Sequence, residues 1–200
     1  MVEMTTTEPE VDGRVLRGQR NREAIVDALL ELYGQGQIRP TAAMVADKAG
    51  LSTRSVYHHF DDMKSLILEV SARNATKWQQ ATSPPPADAP LADRIAGFAQ
   101  HRFTRWTISA PVVRAGLLAE QRSKTVSRIM KNGRIDDIEQ IRLTFADVMA
   151  DAADADQLAA ALDVAYDFHT WDRLHSWSGL DEAATVTVMV QMATAVIEAR

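Results

Sequence analysis

Three consecutive prolines, at residues 84–86, constrain the fold more than any other feature of this sequence. Proline lacks a backbone N–H and clashes with the preceding helical turn, so no helix can run through three of them. Apolar residues recur at helical spacing on both sides of the break, and good helix formers flank "TVTVMV" at 185–190, the one strand-like stretch. The pattern therefore predicts an all-α protein of about nine helices, with a smaller helical group before the prolines and a larger one after them.

The composition excludes several classes of protein. The chain has 200 residues, of which 46% are hydrophobic, enough for one medium domain or for a small domain plus a larger one. It contains no cysteine, so disulfides and cysteine–metal sites are impossible. The acidic start "MVEMTTTEPEVDG" does not resemble a secretory signal, and no apolar run is long enough to span a bilayer. We therefore expect a cytoplasmic protein that has no membrane partner.

Charge is unevenly distributed along the chain. The net charge is −5, which argues against a generic basic nucleic-acid binder. Residues 13–64, however, hold eight Lys and Arg against six Asp and Glu, a net charge of +2. A slightly basic unit on an acidic body permits one surface that faces nucleic acid, but a difference this small does not by itself indicate one.

Four helices are expected before the prolines, after a disordered tail over residues 1–16 that is rich in Thr, Glu, Pro and Gly. Ile25, Leu29 and Leu32 make the apolar face of the first helix, and Gly34 is the expected stop. Beyond the prolines, helical patterns cover about 91–109, 111–121, 124–150, 156–177 and 181–199, with Pro111 in the first turn of its helix.

The second and third helices meet at a short turn. Thr41 is a good N-cap for the second helix, Gly50 closes it, and Ser52 caps the third. Val56 and Phe60 form the buried pair of that third helix, and Asp61 or Asp62 caps the fourth. This layout is that of a helix-turn-helix, in which the second helix of the motif enters the major groove of DNA.

The outward arc of the third helix suits base reading. In "LSTRSVYHHF", residues 51–60, an Arg is surrounded by hydroxyls and aromatic donors instead of the Lys and Glu of an ordinary solvated helix. Arg54 could bind guanine O6 and N7 with two hydrogen bonds, and Tyr57 and His58 could reach phosphates or a thymine methyl. The alternative is a small helical hairpin whose polar arc faces water.

The stretch "TAAMVADKAGLSTRSVYHHFDDMKSL", residues 41–66, resembles the helix-turn-helix and the entry to the fourth helix of the TetR family of bacterial repressors. The resemblance covers about residues 18–75 and is carried by Thr41, Ala46, Gly50, Ser52 and "VYHHF". It implies an all-helical homodimer in which residues 17–61 bind double-stranded operator DNA. Residues 62–200 would then bind a small-molecule effector and, through the last two helices, dimerise.

The resemblance also implies which residues contact DNA. Many members place a phosphate-binding Lys where this chain has Met63, and a Lys follows one position later. Ala42 and Ala43 replace polar contacts that some members have. The four arginines at 14, 17, 20 and 22 would then either track the DNA backbone or the minor groove, or form a solvated tail and helix start. The DNA-contact candidates are Thr41, Ser52, Thr53, Arg54, Ser55, Tyr57, His58 and Lys64.

Candidate effector contacts cluster in "AYDFHTWDRLHSW", residues 165–177. At helical spacing, Phe168, Trp171, Asp172 and His175 share one face, and aromatic walls with a few polar groups suit a small-molecule pocket. Weaker candidates are His101, Phe103, Trp106 and Met130. The alternative is that these residues form the core or a dimer interface. A metal site using Asp172 and His175 lacks further ligands, so we expect no metal and no cofactor.

The last helix is apolar on a broad arc, which predicts a four-helix dimer interface with the 156–177 helix; burial within one subunit is the alternative. The arc consists of Val186, Met189, Val190, Ala193, Val196 and Ile197. No catalytic motif is present, so we do not expect an enzyme. The predicted function is a ligand-responsive dimeric regulator, most simply a repressor. The competing interpretations are an all-helical enzyme or ligand-binding protein without a DNA role, and a protein-interaction adaptor.

Overall fold

The structure is a computed structural model that describes residues 13–199, and this part of the chain confirms the all-α class. Of the predicted disordered tail, residues 1–12 lie outside the described residues. Residues 13–16 contradict the prediction, because good helix formers such as Arg and Leu extend the first helix back to Gly13. The α-helices are α1 (Gly13–Gly34), α2 (Ala42–Lys48), α3 (Thr53–His59), α4 (Met63–Ala81), α5 (Leu91–Ala119), α6 (Lys124–Thr144), α7 (Ala146–Ala150), α8 (Ala155–Tyr166), α9 (Phe168–Trp171) and α10 (Glu182–Glu198), with a π-helical segment at Asp172–Trp177 directly after α9.

Two compact units make up the described chain, and the division between them lies inside α4, between Val70 and Ser71. In unit 1, α1, α2 and α3 pack on one another around a small apolar core. The predicted inward residues are confirmed, and burying each of the larger ones stabilises the unit by about 1.5–3 kcal/mol relative to exposure. The core includes Ile25, Leu29, Leu32, Val45, Ala46, Val56, Phe60 and Leu66.

The turn between α2 and α3 is fixed by a backbone motif that requires glycine. Gly50 has φ of 66°, in the left-handed region, and its N–H donates to the Asp47 carbonyl at 3.1 Å. The Leu51 N–H donates to the Ala46 carbonyl at 2.9 Å. These are the two hydrogen bonds of a Schellman C-cap, so the direction in which α3 leaves α2 depends on this residue.

Replacing Gly50 with Ala should therefore destabilise unit 1 by about 1–2 kcal/mol, because a Cβ is disfavoured in the left-handed region. The control is Gly133→Ala in the interior of α6, where a Cβ would meet nothing within 4 Å. That change should stabilise by up to about 1 kcal/mol. Urea unfolding followed by circular dichroism measures the stability of both variants. Equal effects of the two changes would contradict the left-handed conformation assigned to Gly50.

Unit 2 is built around α5, which packs against α6, α8 and α10. Its main core joins Phe98, Ile141, Phe145, Leu162 and Tyr166, all of them almost fully buried. The α10 residues Met189, Ala193 and Ile197 belong to this core. The prediction that they face a second subunit is therefore wrong, because the apolar arc of α10 is covered by α5 and α8 of the same chain.

Three predicted helix boundaries were also wrong. The predicted 156–177 helix divides at Asp167, whose extended backbone separates α8 from α9. Pro111 lies inside α5, which continues without a break from Leu91 to Ala119. Its ring removes only one backbone donor, and burial of Ala110 and Ala115 on either side holds the two halves of the helix in place. The predicted 124–150 helix divides at Phe145 into α6 and α7.

None of the helices in the described part of the chain combines the length and the apolar character that a bilayer-spanning helix needs.

Candidate nucleic-acid interface and interior cluster

Helix α3 is held at both ends and on one face. The Ser52 Oγ accepts from the Ser55 N–H at 3.1 Å and confirms the predicted N-cap. Val56 and Phe60 are buried, with only 1% and 3% of their surface exposed, and they anchor the helix on α1 and α2. The face on which this short helix carries its remaining side chains is therefore fixed relative to α1 and α2.

The outward side chains are those predicted from the sequence. Thr53, Arg54 and His58 are exposed, and Tyr57 is 53% exposed. Within the described part of the chain, no carboxylate pairs with the Arg54 guanidinium, so its donors remain available. Ser55 is half-buried, and its Oγ lies 2.8 Å from the Ser52 Oγ, so these two hydroxyls contact each other.

The flanking phosphate candidates lie at helix starts. Thr41 is exposed, and its Oγ1 accepts from the Met44 N–H at 3.2 Å, which leaves its hydroxyl proton free to donate. The cap of α4 is Asp62, whose Oδ1 accepts from the Ser65 N–H at 2.8 Å; this hydrogen bond lowers the pKa of Asp62. Lys64 is exposed in the first turn of α4 and Met63 is half-buried.

Arg22 has a structural role that local sequence patterns do not reveal. Its Nη1 donates to the His59 carbonyl at 2.6 Å, its Nε and Nη2 donate to the two Glu69 carboxylate oxygens, and its guanidinium lies 4.2 Å from the Phe60 ring centroid. Arg22 thus joins α1, the end of α3 and α4. Arg22 is therefore a structural residue and not the DNA contact that the sequence analysis considered. Because Arg22 and Glu69 are 47 residues apart, their pairing leaves no local signal in the sequence. Burial and the neighbouring His58 and Arg22 lower the pKa of His59.

In unit 2, most of the predicted effector contacts lie together. Trp106, Phe168 and Trp171 form an apolar cluster with Phe103, with ring centroids 5.7–6.3 Å apart in neighbouring pairs. The His175 ring lies 5.2 Å from that of Phe103 and 5.3 Å from that of Trp171. We call these five residues the aromatic cluster.

Polar groups of the aromatic cluster are only partly satisfied. The Trp106 Nε1 donates to the Tyr166 carbonyl at 2.9 Å, and the His175 Nδ1 lies 2.8 Å from the Leu180 carbonyl. The Trp171 Nε1 is buried and has no acceptor among the described residues. A buried donor without a partner costs about 1–3 kcal/mol, so an acceptor supplied from outside would be favoured there.

The other three candidates lie apart from the aromatic cluster or at its edge. Asp172 accepts from the Arg114 guanidinium. His101 is buried beside Thr82 and Gln140, and burial together with Arg102 lowers its pKa to about 4, so it is neutral at pH 7. Met130 packs against Gly116, where an added Cβ would lie only 2.6 Å from the Met130 Sδ.

A buried charged network lies on the other side of Trp106, and the sequence did not indicate it. Arg102 and Arg105 both donate to the Asp137 Oδ1, the first at 2.6 Å. The Arg105 guanidinium lies between two indoles, 4.5 Å from the Trp78 centroid and 4.4 Å from that of Trp106. The Nε atoms of both arginines are buried without an acceptor among residues 13–199.

Asp163 is a half-buried carboxyl group close enough to this network for its charges to affect the pKa. Burial, then the charges of Asp137 and Asp167, raise its pKa from 3.8 to about 6. Between about pH 4 and pH 6 the folded state therefore holds a proton that the unfolded state has released. Stability falls as the pH rises through this window and stays lower above it.

Replacing Asp163 with Asn should accordingly stabilise the protein at pH 7.5, by about 1 kcal/mol after allowance for solvent screening, and by progressively less as the pH falls towards 4. Thermal unfolding of the variant and the wild type across this pH range gives the comparison. Asp151→Asn, at an exposed position, is the control and should show no trend with pH. A gain for Asp163→Asn that does not vary with pH would contradict the predicted protonation.

Comparison with known proteins agrees with the helix-turn-helix. Residues 25–70 match the sequence profile described as bacterial regulatory proteins, tetR family. No curated protein matches the sequence significantly.

Solved structures share the fold across nearly the whole chain. A transcriptional regulator from Rhodococcus sp. Rha1 superposes with a TM-score of 0.70 at 15% identity, covering 91% of this chain and 96% of its own. A protein from Mesorhizobium loti MAFF303099, assigned as a TetR-family transcriptional regulator, gives 0.65 at 16% identity, covering 92% and 98%. One from Pseudomonas aeruginosa PAO1, assigned as a transcriptional regulator, gives 0.62 at 18% identity, covering 96% and 93%. At these identities the likeness establishes the fold alone. The match to the tetR family of bacterial regulatory proteins thus covers the helix-turn-helix at residues 25–70, and the solved structures share the surrounding all-α fold.

Proposed function

We propose that this protein is a dimeric, DNA-binding transcriptional repressor that a small molecule releases from a palindromic operator. The observation that carries the proposal is the outward arc of α3, with Thr53, Arg54, Tyr57 and His58 exposed on a helix anchored by its buried face. Thr41 and Lys64 would bind phosphates on either side of the bases that α3 reads. Ser52 and Ser55 would contact the DNA between these two phosphate sites. Such a regulator acts on cytoplasmic DNA and needs no enzymatic activity.

A duplex selection tests DNA binding directly. The full chain is incubated with a random-sequence duplex library, and bound molecules are amplified and sequenced. We expect a palindrome whose half-sites lie about 34 Å apart, bound with an affinity that falls steeply with salt. Enrichment of no sequence, together with no gel shift at low salt, would favour an all-helical protein without a DNA role.

The dimer is supported by exposed surfaces on the last helices. On α8, Gln157, Ala160 and Val164 are exposed at helical spacing, and Val164 is 59% exposed. On α10, an exposed stripe of small and polar residues repeats every four positions, which would let a second copy approach closely. The stripe consists of Ala183, Thr187, Gln191 and Ala195.

Val164→Glu should convert the dimer to a monomer in sedimentation, because a dimer interface would bury the new charge without a partner. The matched control is Leu143→Glu on α6, where the side chain is 63% exposed; it should leave the dimer intact. A Val164→Glu protein that still sediments as a dimer would remove α8 from the interface.

The effector is proposed to bind at the aromatic cluster, together with Asp172, and His101 and Met130 remain predicted contacts outside the cluster. The unsatisfied Trp171 donor supports this, because a ligand with a hydrogen-bond acceptor would complete it. The response would pass through α4, since this helix belongs partly to each unit. A coupling free energy of about 1–3 kcal/mol between effector and DNA is typical of such systems.

A further inference from the structure

Arg105 carries a positive charge in the interior of unit 2 and donates there through only one of its nitrogens. Its side chain is 11% exposed, and its Nη1 donates to the Asp137 carboxylate, which also accepts from Arg102. Its Nε is buried without an acceptor, and its Nη2 donates to no group in the described part of the chain. The edge of the guanidinium formed by Nε and Nη2, which we call the free edge, therefore meets no acceptor among residues 13–199.

The position of the free edge is set by the neighbours of Arg105. The Trp78 and Trp106 ring centroids lie 4.5 Å and 4.4 Å from its guanidinium carbon, and Asp137 holds its Nη1. Two parallel N–H donors on one edge match the two oxygens of a carboxylate, which is the strongest geometry an arginine offers. Because Trp106 also belongs to the aromatic cluster, Arg105 adjoins that cluster directly.

Direct pairing does not balance the positive charge of this network. Arg102 and Arg105 share the carboxylate of Asp137. Asp163 feels the charges of both arginines, but within the described residues it forms an ion pair with neither of them. Two buried cations that share one direct counter-charge attract a further anion, because burial weakens the competing hydration of the charges.

The unsatisfied buried groups of unit 2 indicate the same kind of ligand. In the part of the chain that the structure describes, every buried side-chain atom without a hydrogen-bond partner is a donor. These atoms are the Nε of Arg94, Arg102 and Arg105 and the Nε1 of Trp171. A ligand that brings donors would add to this surplus, whereas a ligand that carries only acceptors would reduce it. An ionised carboxylate carries only acceptors.

We propose that the effector is an aromatic carboxylate, and that the free edge of Arg105 binds its carboxylate while its ring packs beside Trp106. The inference rests on the proposed function and deepens it, since it names the class of the ligand and the residue that selects it. The net charge of −5 does not attract anions to the protein as a whole, so the selectivity depends on this interior cation.

Three ligands with one ring test the charge requirement on the full chain. They are naphthoate, naphthamide and naphthylmethylammonium of the same ring isomer, titrated at neutral pH by calorimetry. Naphthoate should bind about tenfold more tightly than the amide, and the ammonium compound most weakly. In gel shifts, naphthoate should release the selected duplex at a lower concentration than the amide. Equal affinities for naphthoate and the amide, or no binding of any of the three at millimolar concentration, overturn the inference.

Arg105→Gln tests the anchoring residue. It leaves Arg102 and Asp137 as a one-to-one ion pair, so the fold should survive, and circular dichroism checks this. The affinities for naphthoate and the amide should then agree within about twofold, because the charged fork is gone. Arg128→Gln, at an exposed position of α6, is the matched control and should keep the preference. A preference that persists in Arg105→Gln, or that Arg128→Gln removes equally, overturns the assignment.

A change in the opposite direction separates charge from structural damage. Asp163→Asn removes a negative charge that competes with the ligand, so naphthoate should bind more tightly and the amide unchanged. Arg105→Lys keeps the charge and loses the fork, and should retain part of the preference for naphthoate. Weaker naphthoate binding by Asp163→Asn, or an Arg105→Lys protein with no preference for the anion, contradicts an electrostatic role of the network.

The calorimetric titrations contain no DNA, so the inference and the proposed function fail separately. A chain that prefers naphthoate through Arg105 but selects no duplex keeps the anion site and is not a DNA-binding regulator. A chain that selects a palindrome but shows no charge preference among the three ligands is a regulator without the anion site.

Discussion

Replacing Arg54 with Ala is expected to abolish discrimination between the operator and unrelated DNA while the fold and the dimer stay intact. Arg54 is exposed on α3 and unpaired within the described residues, so its truncation leaves the packing of unit 1 unchanged. A bidentate Arg–guanine interaction is worth about 1–3 kcal/mol, and the penalty applies to each half-site. Competition gel shifts with selected and random duplexes measure the ratio of the two affinities.

The control for this prediction is Lys64→Ala, because Lys64 is exposed and is proposed to bind a phosphate. That variant should weaken binding to all duplexes alike and keep the ratio, whereas Arg54→Ala should lower the ratio itself. Circular dichroism and sedimentation should match the wild type in both. If the selected sequence is unchanged for Arg54→Ala, this residue does not read bases.

The second large effect is expected at Asp137. This carboxylate is 13% exposed and accepts from two guanidinium groups, Arg102 and Arg105, which are 1% and 11% exposed. Asp137→Asn removes the carboxylate that pairs directly with both buried cations, and removing one partner of such an ion pair costs about 3–5 kcal/mol. Urea unfolding followed by circular dichroism should show the destabilisation as a lower midpoint.

The neighbouring residue provides a matched control for Asp137. Asp136 is on the same helix and exposed, so Asp136→Asn should change stability by less than about 0.5 kcal/mol. Replacing all three charged residues with Met or Leu should recover much of the stability, because apolar packing can substitute for a buried ion pair. Equal stabilities of the two Asn variants would show that Asp137 is solvated in solution.

Local signals in the sequence predicted the helix-turn-helix well. Caps at Thr41 and Ser52, the left-handed Gly50 and the Val56–Phe60 pair are set by residues within four positions of one another, and all are confirmed. Their physics is short-range, so one sequence suffices to find them.

Long-range pairing could not be predicted in the same way. Arg22 with Glu69, and Arg102 with Asp137, are separated by 47 and 35 residues, and nothing local distinguishes these arginines from solvated ones. Pro111 was misplaced because propensity assigns it to a first turn, whereas tertiary burial keeps α5 continuous through it. The apolar arc of α10 was correct as a pattern, but a pattern does not specify whether the same chain or a second copy covers it.

The positions of the four indoles have a practical consequence. Trp78, Trp106, Trp171 and Trp177 all follow Ser71, so indole emission reports on unit 2, while the described part of unit 1 contributes only tyrosine. Trp177 is 79% exposed, whereas Trp106 and Trp171 are 5% and 3% exposed. A water-soluble quencher should therefore quench Trp177 at lower concentration than Trp106 and Trp171. A compound that enters the interior of unit 2 should change the emission that remains in the presence of the quencher.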